Sequence, residues 1–137
     1  MSVASEILAR ARAKGVMIAT VESCTGGLVA AALTDIPGSS DVVERGFVTY
    51  SNAAKTDLVA VRPATLAAHR AVSEPVAAEI AQGAPAHAPV ALAVSLTGIA
   101  GPGGSEHKPV WPFRFRIPNP PRPPPRTAQV RCQAPAT

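Results

Sequence analysis

Cysteine is scarce: Cys24 and Cys132 are the only two in 137 residues, too few for a disulfide framework or a four-ligand zinc pattern. The histidines, His69, His87 and His107, are scattered without the paired spacing of a ligand set, so the chain is read without a metal. Long apolar runs are missing too. None reaches the roughly 18 to 20 residues that a bilayer span requires, which argues against a membrane protein. The N-terminus, Met1-Ser2-Val3-Ala4-Ser5-Glu6, has no basic flank followed by an apolar stretch. No secretory signal is read there, and a reducing cytoplasm is the expected compartment.

A second set of absences divides the chain. Residues 111–137 hold no lysine, no acid and no glycine, but eight prolines and five arginines. Their charge is +5, whereas residues 1–110 carry eight basic and nine acidic side chains and sum to −1. The overall charge of +4 therefore belongs to the tail. The stretch Pro118–Pro125 cannot form an interior strand or helix and reads as extended polyproline or disorder. The length supports one compact domain. The expected organisation is a domain over 1–110 and a Pro/Arg-rich tail over 111–137.

What remains alternates between helix and strand. Val3, Ile7, Leu8 and Ala11 share a helical face, with Gly15 as the stop. Val16–Val21 is a short apolar run typical of a strand covered on both faces. Leu28–Leu33 reads as helix and Arg45–Tyr50 as strand. Ser51 or Asn52 can cap a helix carrying Lys55, and Thr65–His69 forms another short one. Ser73 caps a further helix with Pro75 in its first turn, and Pro89–Leu96 is a second buried-strand pattern. This order predicts an α/β fold with helices on both faces of a sheet, whose ligands gather beyond the carboxyl ends of the strands.

Three segments fall at such ends or close to them. Glu22-Ser23-Cys24-Thr25-Gly26-Gly27 lies between a strand and a helix, where free backbone amides and the helix dipole favour an anion. A hydroxyl there can bind phosphate, cap the helix, or attack a carbonyl whose oxyanion the amides stabilise. The segment is neither a Walker A loop nor a Gly-x-Ser-x-Gly elbow. Cys24 has no histidine near it in sequence and reads as a small buried residue. In Tyr50-Ser51-Asn52-Ala53-Ala54-Lys55, a strand-end tyrosine and a helix lysine can converge on one site. Desolvation can bring a lysine from ~10.4 to ~7–8, where it takes a hydroxyl's proton. The plainer alternative is a solvated Lys55 and a Tyr50 packed at an edge. Thr97–Gly104 is glycine-rich and lets backbone approach a ligand, or it is an ordinary long loop.

Together the segments resemble the CinA C-terminal domain family. The resemblance rests on Glu22–Leu28, Pro37-Gly38-Ser39-Ser40, Gly46–Asn52 with Lys55, Ala71-Val72-Ser73 and Thr97–Gly104, in order and spacing, up to Val110. It implies a three-layer α/β/α sandwich with a mostly buried sheet, and an amidase that converts nicotinamide mononucleotide to nicotinate mononucleotide and ammonia without metal or cofactor. It further implies Ser23 as nucleophile, Lys55 and Tyr50 as its activating partners, and Thr25, Gly26, Gly27, Thr97 and Gly98 lining the substrate site. The implied partner is a small-molecule nucleotide, with no nucleic acid and no membrane; a homo-oligomer is compatible with it.

The pattern stops after Lys108-Pro109-Val110, where the family continues with glycine, a buried strand and a helix. Trp-Pro back-translates to TGG CCN, and skipping the first base gives a glycine codon followed by codons that permit Leu-Phe-Val-Phe. Residues 111–137 are thus read as frameshifted translation, which predicts that the last strand and helix are missing. Two other readings of the tail are a polyproline ligand for an SH3-like partner and an arginine-based nucleic-acid contact.

Overall fold

The computed structural model describes residues 1–98 and, by backbone alone, 113–116. Its elements run α1 (Val3–Lys14), β1 (Ile18–Glu22), α2 (Leu28–Thr34), a 3-10 turn (Ser39–Asp41), β2 (Val43–Val48), α3 (Asn52–Val59), α4 (Pro63–His69), α5 (Glu74–His87), β3 (Leu92–Leu96) and β4 (Phe113–Arg116). Local signals account for most boundaries. Ser2, Ser51 and Ser73 cap α1, α3 and α5 by accepting a first-turn amide, and Gly15 closes α1 in the left-handed region.

The sheet order is β2-β1-β3-β4. β1 runs parallel to both β2 and β3. All five residues of β1 are buried, as expected of a strand covered on two faces. On one face Leu8, Ala11, Ile18, Leu33 and Val42 form a cluster beneath α1 and α2. On the other, Val21, Val59, Val61, Val76, Ile80, Ala84 and Ala93 pack beneath α3 and α5. The chain is therefore an α/β sandwich of three layers.

One expectation about the tail is corrected. Phe113–Arg116 forms a strand antiparallel to β3, with Phe113 opposite Leu96 and Arg116 opposite Ala93, so a fourth strand is present where none was expected. Edge pairing needs backbone donors and acceptors rather than a particular side chain, and Phe-Arg-Phe-Arg contains no proline to interrupt it. The Pro118–Pro125 stretch, His107, Cys132 and the loop from Ile99 to Gly104 lie outside the described residues.

Helix α5 sits against the end of α3 at a position that admits no side chain. A Cβ added to Gly83 would lie 1.8 Å from the carbonyl oxygen of Val59. Gly83→Ala is expected to push α5 off α3 and to lower stability by about 3 kcal/mol or more, at the upper end of overpacking costs. A urea unfolding curve with an unchanged midpoint would contradict this.

Candidate active site

The parallel register of β1 and β2 builds the site. Glu22 stands opposite Val48, and the ladder continues one step as the Thr49 amide donates to the Glu22 carbonyl at 2.8 Å. Ser23 and Thr49, both just past the carboxyl ends of their strands, are thereby placed side by side. The Ser23 amide donates to the Leu96 carbonyl at 3.0 Å, which ties the same residue to the end of β3.

Ser23 is 6% exposed. Its Oγ donates to the Thr49 carbonyl at 3.0 Å and lies 3.2 Å from the Thr49 hydroxyl. Lys55 is 2% exposed, which rules out a solvated surface lysine. Its Nζ donates to the same Thr49 carbonyl at 2.9 Å and to the Tyr50 carbonyl at 3.2 Å. One carbonyl oxygen thus receives both side chains. Burial pushes the Lys55 pKa below its ordinary value. A neutral amine has two N–H bonds. The two carbonyls can take both and leave the lone pair to accept a proton.

Tyr50 meets this centre through its backbone: its carbonyl accepts from Lys55, and the residue is 72% exposed. Among the described residues no hydrogen bond joins the phenol to Ser23 or Lys55, so the contact made here is the carbonyl's. Thr49 supplies the hydroxyl beside Ser23 instead. Thr49 stands in the motif but drew no role in the sequence. The available signal was its period-two relation to the inward Phe47.

The end of α2 also departs from the expectation of a free anion site. The Glu22 carboxylate accepts from the amides of Val29 and Ala30, each at 2.9 Å. Leu28 donates to Thr25 and Ala31 to Gly27. The protein's own buried carboxylate therefore occupies the positive end of the helix, and Ser23 is relieved of capping. Gly26 and Gly27 make the turn between them at φ +60° and +109°, a left-handed path that favours glycine.

Two amides remain beside the nucleophile. Those of Cys24 and Thr25 face the Cys24 sulfur and have no backbone acceptor among the described residues. Burial, with the Glu22 charge adding to it, pushes the Cys24 thiol above its ordinary pKa. At neutral pH it stays protonated and is the weaker nucleophile candidate. The Thr25 hydroxyl is buried without a partner among the described residues. Thr97 is buried with its hydroxyl on the Ala71 carbonyl at 3.4 Å, and Gly98 follows half-buried.

Fold and site define a protein with an α/β sandwich and a buried serine–lysine centre at the carboxyl edge of its sheet. A family model described as the CinA C-terminal domain matches residues 1–115, and the chain belongs to this family. The match extends past Val110 into β4. The nicotinamide-nucleotide amidohydrolase PncC of Escherichia coli K12 is 55% identical over 116 residues, covering 84% of this chain and 70% of its own length. Among solved structures, the competence/damage inducible protein CihA of Agrobacterium tumefaciens superposes with a TM-score of 0.79 at 48% identity, over 83% of this chain and 71% of that one. The competence damage-inducible protein A of Klebsiella pneumoniae gives 0.85 at 34% identity, over 96% and 81%. No helix among the described residues is long and apolar enough to cross a membrane.

Proposed function

We propose that the chain is a nicotinamide-nucleotide amidohydrolase that converts nicotinamide mononucleotide and water to nicotinate mononucleotide and ammonia, a step of pyridine nucleotide salvage. The observation that carries the chemistry is the shared Thr49 carbonyl, which accepts from both Ser23 Oγ and Lys55 Nζ. The name of the E. coli relative supports the substrate.

An amide is a poor electrophile, so the nucleophile must be activated and the tetrahedral oxyanion stabilised. Ser23 Oγ turns from the carbonyl and attacks the carboxamide carbon while neutral Lys55 takes its proton. The hydroxyl of Thr49, at 3.2 Å, steers that turn. The amides of Cys24 and Thr25 receive the oxyanion. The intermediate collapses as Lys55 returns the proton to the departing nitrogen, releasing ammonia and leaving an acyl-serine. Water, deprotonated by Lys55, adds to the acyl carbon; the bond to Ser23 Oγ breaks, Lys55 returns the proton to that oxygen, and the carboxylate product leaves. Thr25, Gly26, Gly27, Thr97 and Gly98 line the approach. The substrate phosphate is bound elsewhere than at the start of α2, where Glu22 fills the amides.

Ammonia release from nicotinamide mononucleotide tests the reading. The purified chain should produce ammonia and nicotinate mononucleotide in equal amounts, and a chain with the frame restored after Val110 should serve as its comparison. Absence of ammonia from both refutes the proposal.

A further inference from the structure

The reaction as derived leaves the ring of Tyr50 without a task. Its backbone is fixed at the catalytic pair, because its carbonyl accepts from Lys55 and the residue before it holds Ser23. Its side chain nevertheless stands 72% exposed. The flanking elements also present apolar side chains to solvent, with Leu28 at the start of α2 and Val48 at the end of β2. These two ends meet, since a Cβ on Gly27 would lie 3.8 Å from Val48 Cγ2. Tyrosine on a pinned backbone offers a rigid, flat contact at low entropic cost. The carboxamide of the proposed substrate is carried by a pyridinium, a flat ring with a permanent positive charge.

We infer that the Tyr50 ring stacks on this pyridinium at the entrance to the site and selects the cationic, oxidised nucleotide over its neutral, reduced form. The inference rests on the amidohydrolase reading. Tyr50 is then a specificity residue that holds the ring over Ser23, and its hydroxyl is dispensable. A neutral Lys55 suits the arrangement, because a protonated one would repel the ring. The quadrupole of the aromatic face attracts the cation, and a dihydropyridine offers neither the charge nor a fully aromatic face.

The test uses two readouts on the full chain. In a Ser23→Ala background, calorimetry measures binding of oxidised and reduced nicotinamide mononucleotide. Tyr50→Leu, which keeps bulk without a π face, should weaken the oxidised form about 5- to 30-fold, the size of a desolvated cation–π contact, and leave the reduced form within about twofold. Tyr50→Phe should bind like the parent. In the active chain, Tyr50→Phe should keep kcat, and Tyr50→Leu should act mainly on KM. Equal weakening of both nucleotides, or binding unchanged by Tyr50→Leu, overturns the inference. So does a loss of kcat in Tyr50→Phe, which would restore the phenol as a proton carrier. A shift to a smaller particle in Tyr50→Leu, with binding intact, assigns the patch to a subunit contact instead. Failure of the unmodified chain to release ammonia removes the functional reading and this inference together. Ammonia release with no effect of Tyr50→Leu removes the inference alone.

Discussion

Ser23→Ala is expected to abolish ammonia release from nicotinamide mononucleotide while the protein stays folded. The variant removes the nucleophile of the proposed mechanism, and the loss in kcat should be on the order of 10^4-fold or more, as for nucleophiles that act as part of a unit. Its structural cost is modest. The Thr49 carbonyl keeps its bond from Lys55, whereas the Thr49 hydroxyl loses its contact with Ser23, at about 1–3 kcal/mol. Circular dichroism matching the parent and a cooperative thermal melt establish that the loss is chemical. Retention of most of the activity would remove Ser23 from the mechanism and direct attention to Cys24, the next group on the same turn.

Lys55→Met should lower kcat by about 10^2- to 10^4-fold, the range of general acid–base catalysis. Lys55→Arg should be just as inactive, because a guanidinium remains protonated and cannot serve as a base. Rescue by arginine would make the residue an electrostatic anchor. The pH profile follows from the direction of the Lys55 shift. Burial disfavours the ammonium, so the amine is free at lower pH than an ordinary lysine, and the rate rises with pH through a midpoint below the usual lysine value. The stability contribution has the same sign. Between the depressed folded pKa and the unfolded one, the unfolded chain binds more protons, so stability increases as pH rises through that window and is lost below it. A rate independent of pH throughout the window, with stability also flat, would contradict a desolvated base.

The helices and the core strands were legible because their signals are local. The caps at Ser2, Ser51 and Ser73, the stop at Gly15 and the apolar runs of β1 and β3 each act within a few residues. Strand β2 shows the limit. Its apolar reading runs to Tyr50, but the strand ends at Val48; after one further ladder bond from the Thr49 amide, the carbonyls of Thr49 and Tyr50 turn to side chains of the site. The strand at Phe113–Arg116 carries a four-residue alternation of phenylalanine and arginine, a short signal overshadowed by the prolines around it.

By itself, the sequence determined the alternation of elements, the placement of Ser23 and Lys55 at strand and helix ends, and the family to which the chain belongs. Tertiary structure decided what those residues touch. The register of β1 on β2 sets Ser23 beside Thr49 across 26 residues, and burial of α3 turns Lys55 inward to the same carbonyl. It also gave the end of α2 to Glu22 and left the Tyr50 ring facing solvent. The reason is physical. Caps and periodicity are short-range and written in neighbouring residues, whereas register, desolvation and a shared acceptor exist only once distant segments have packed.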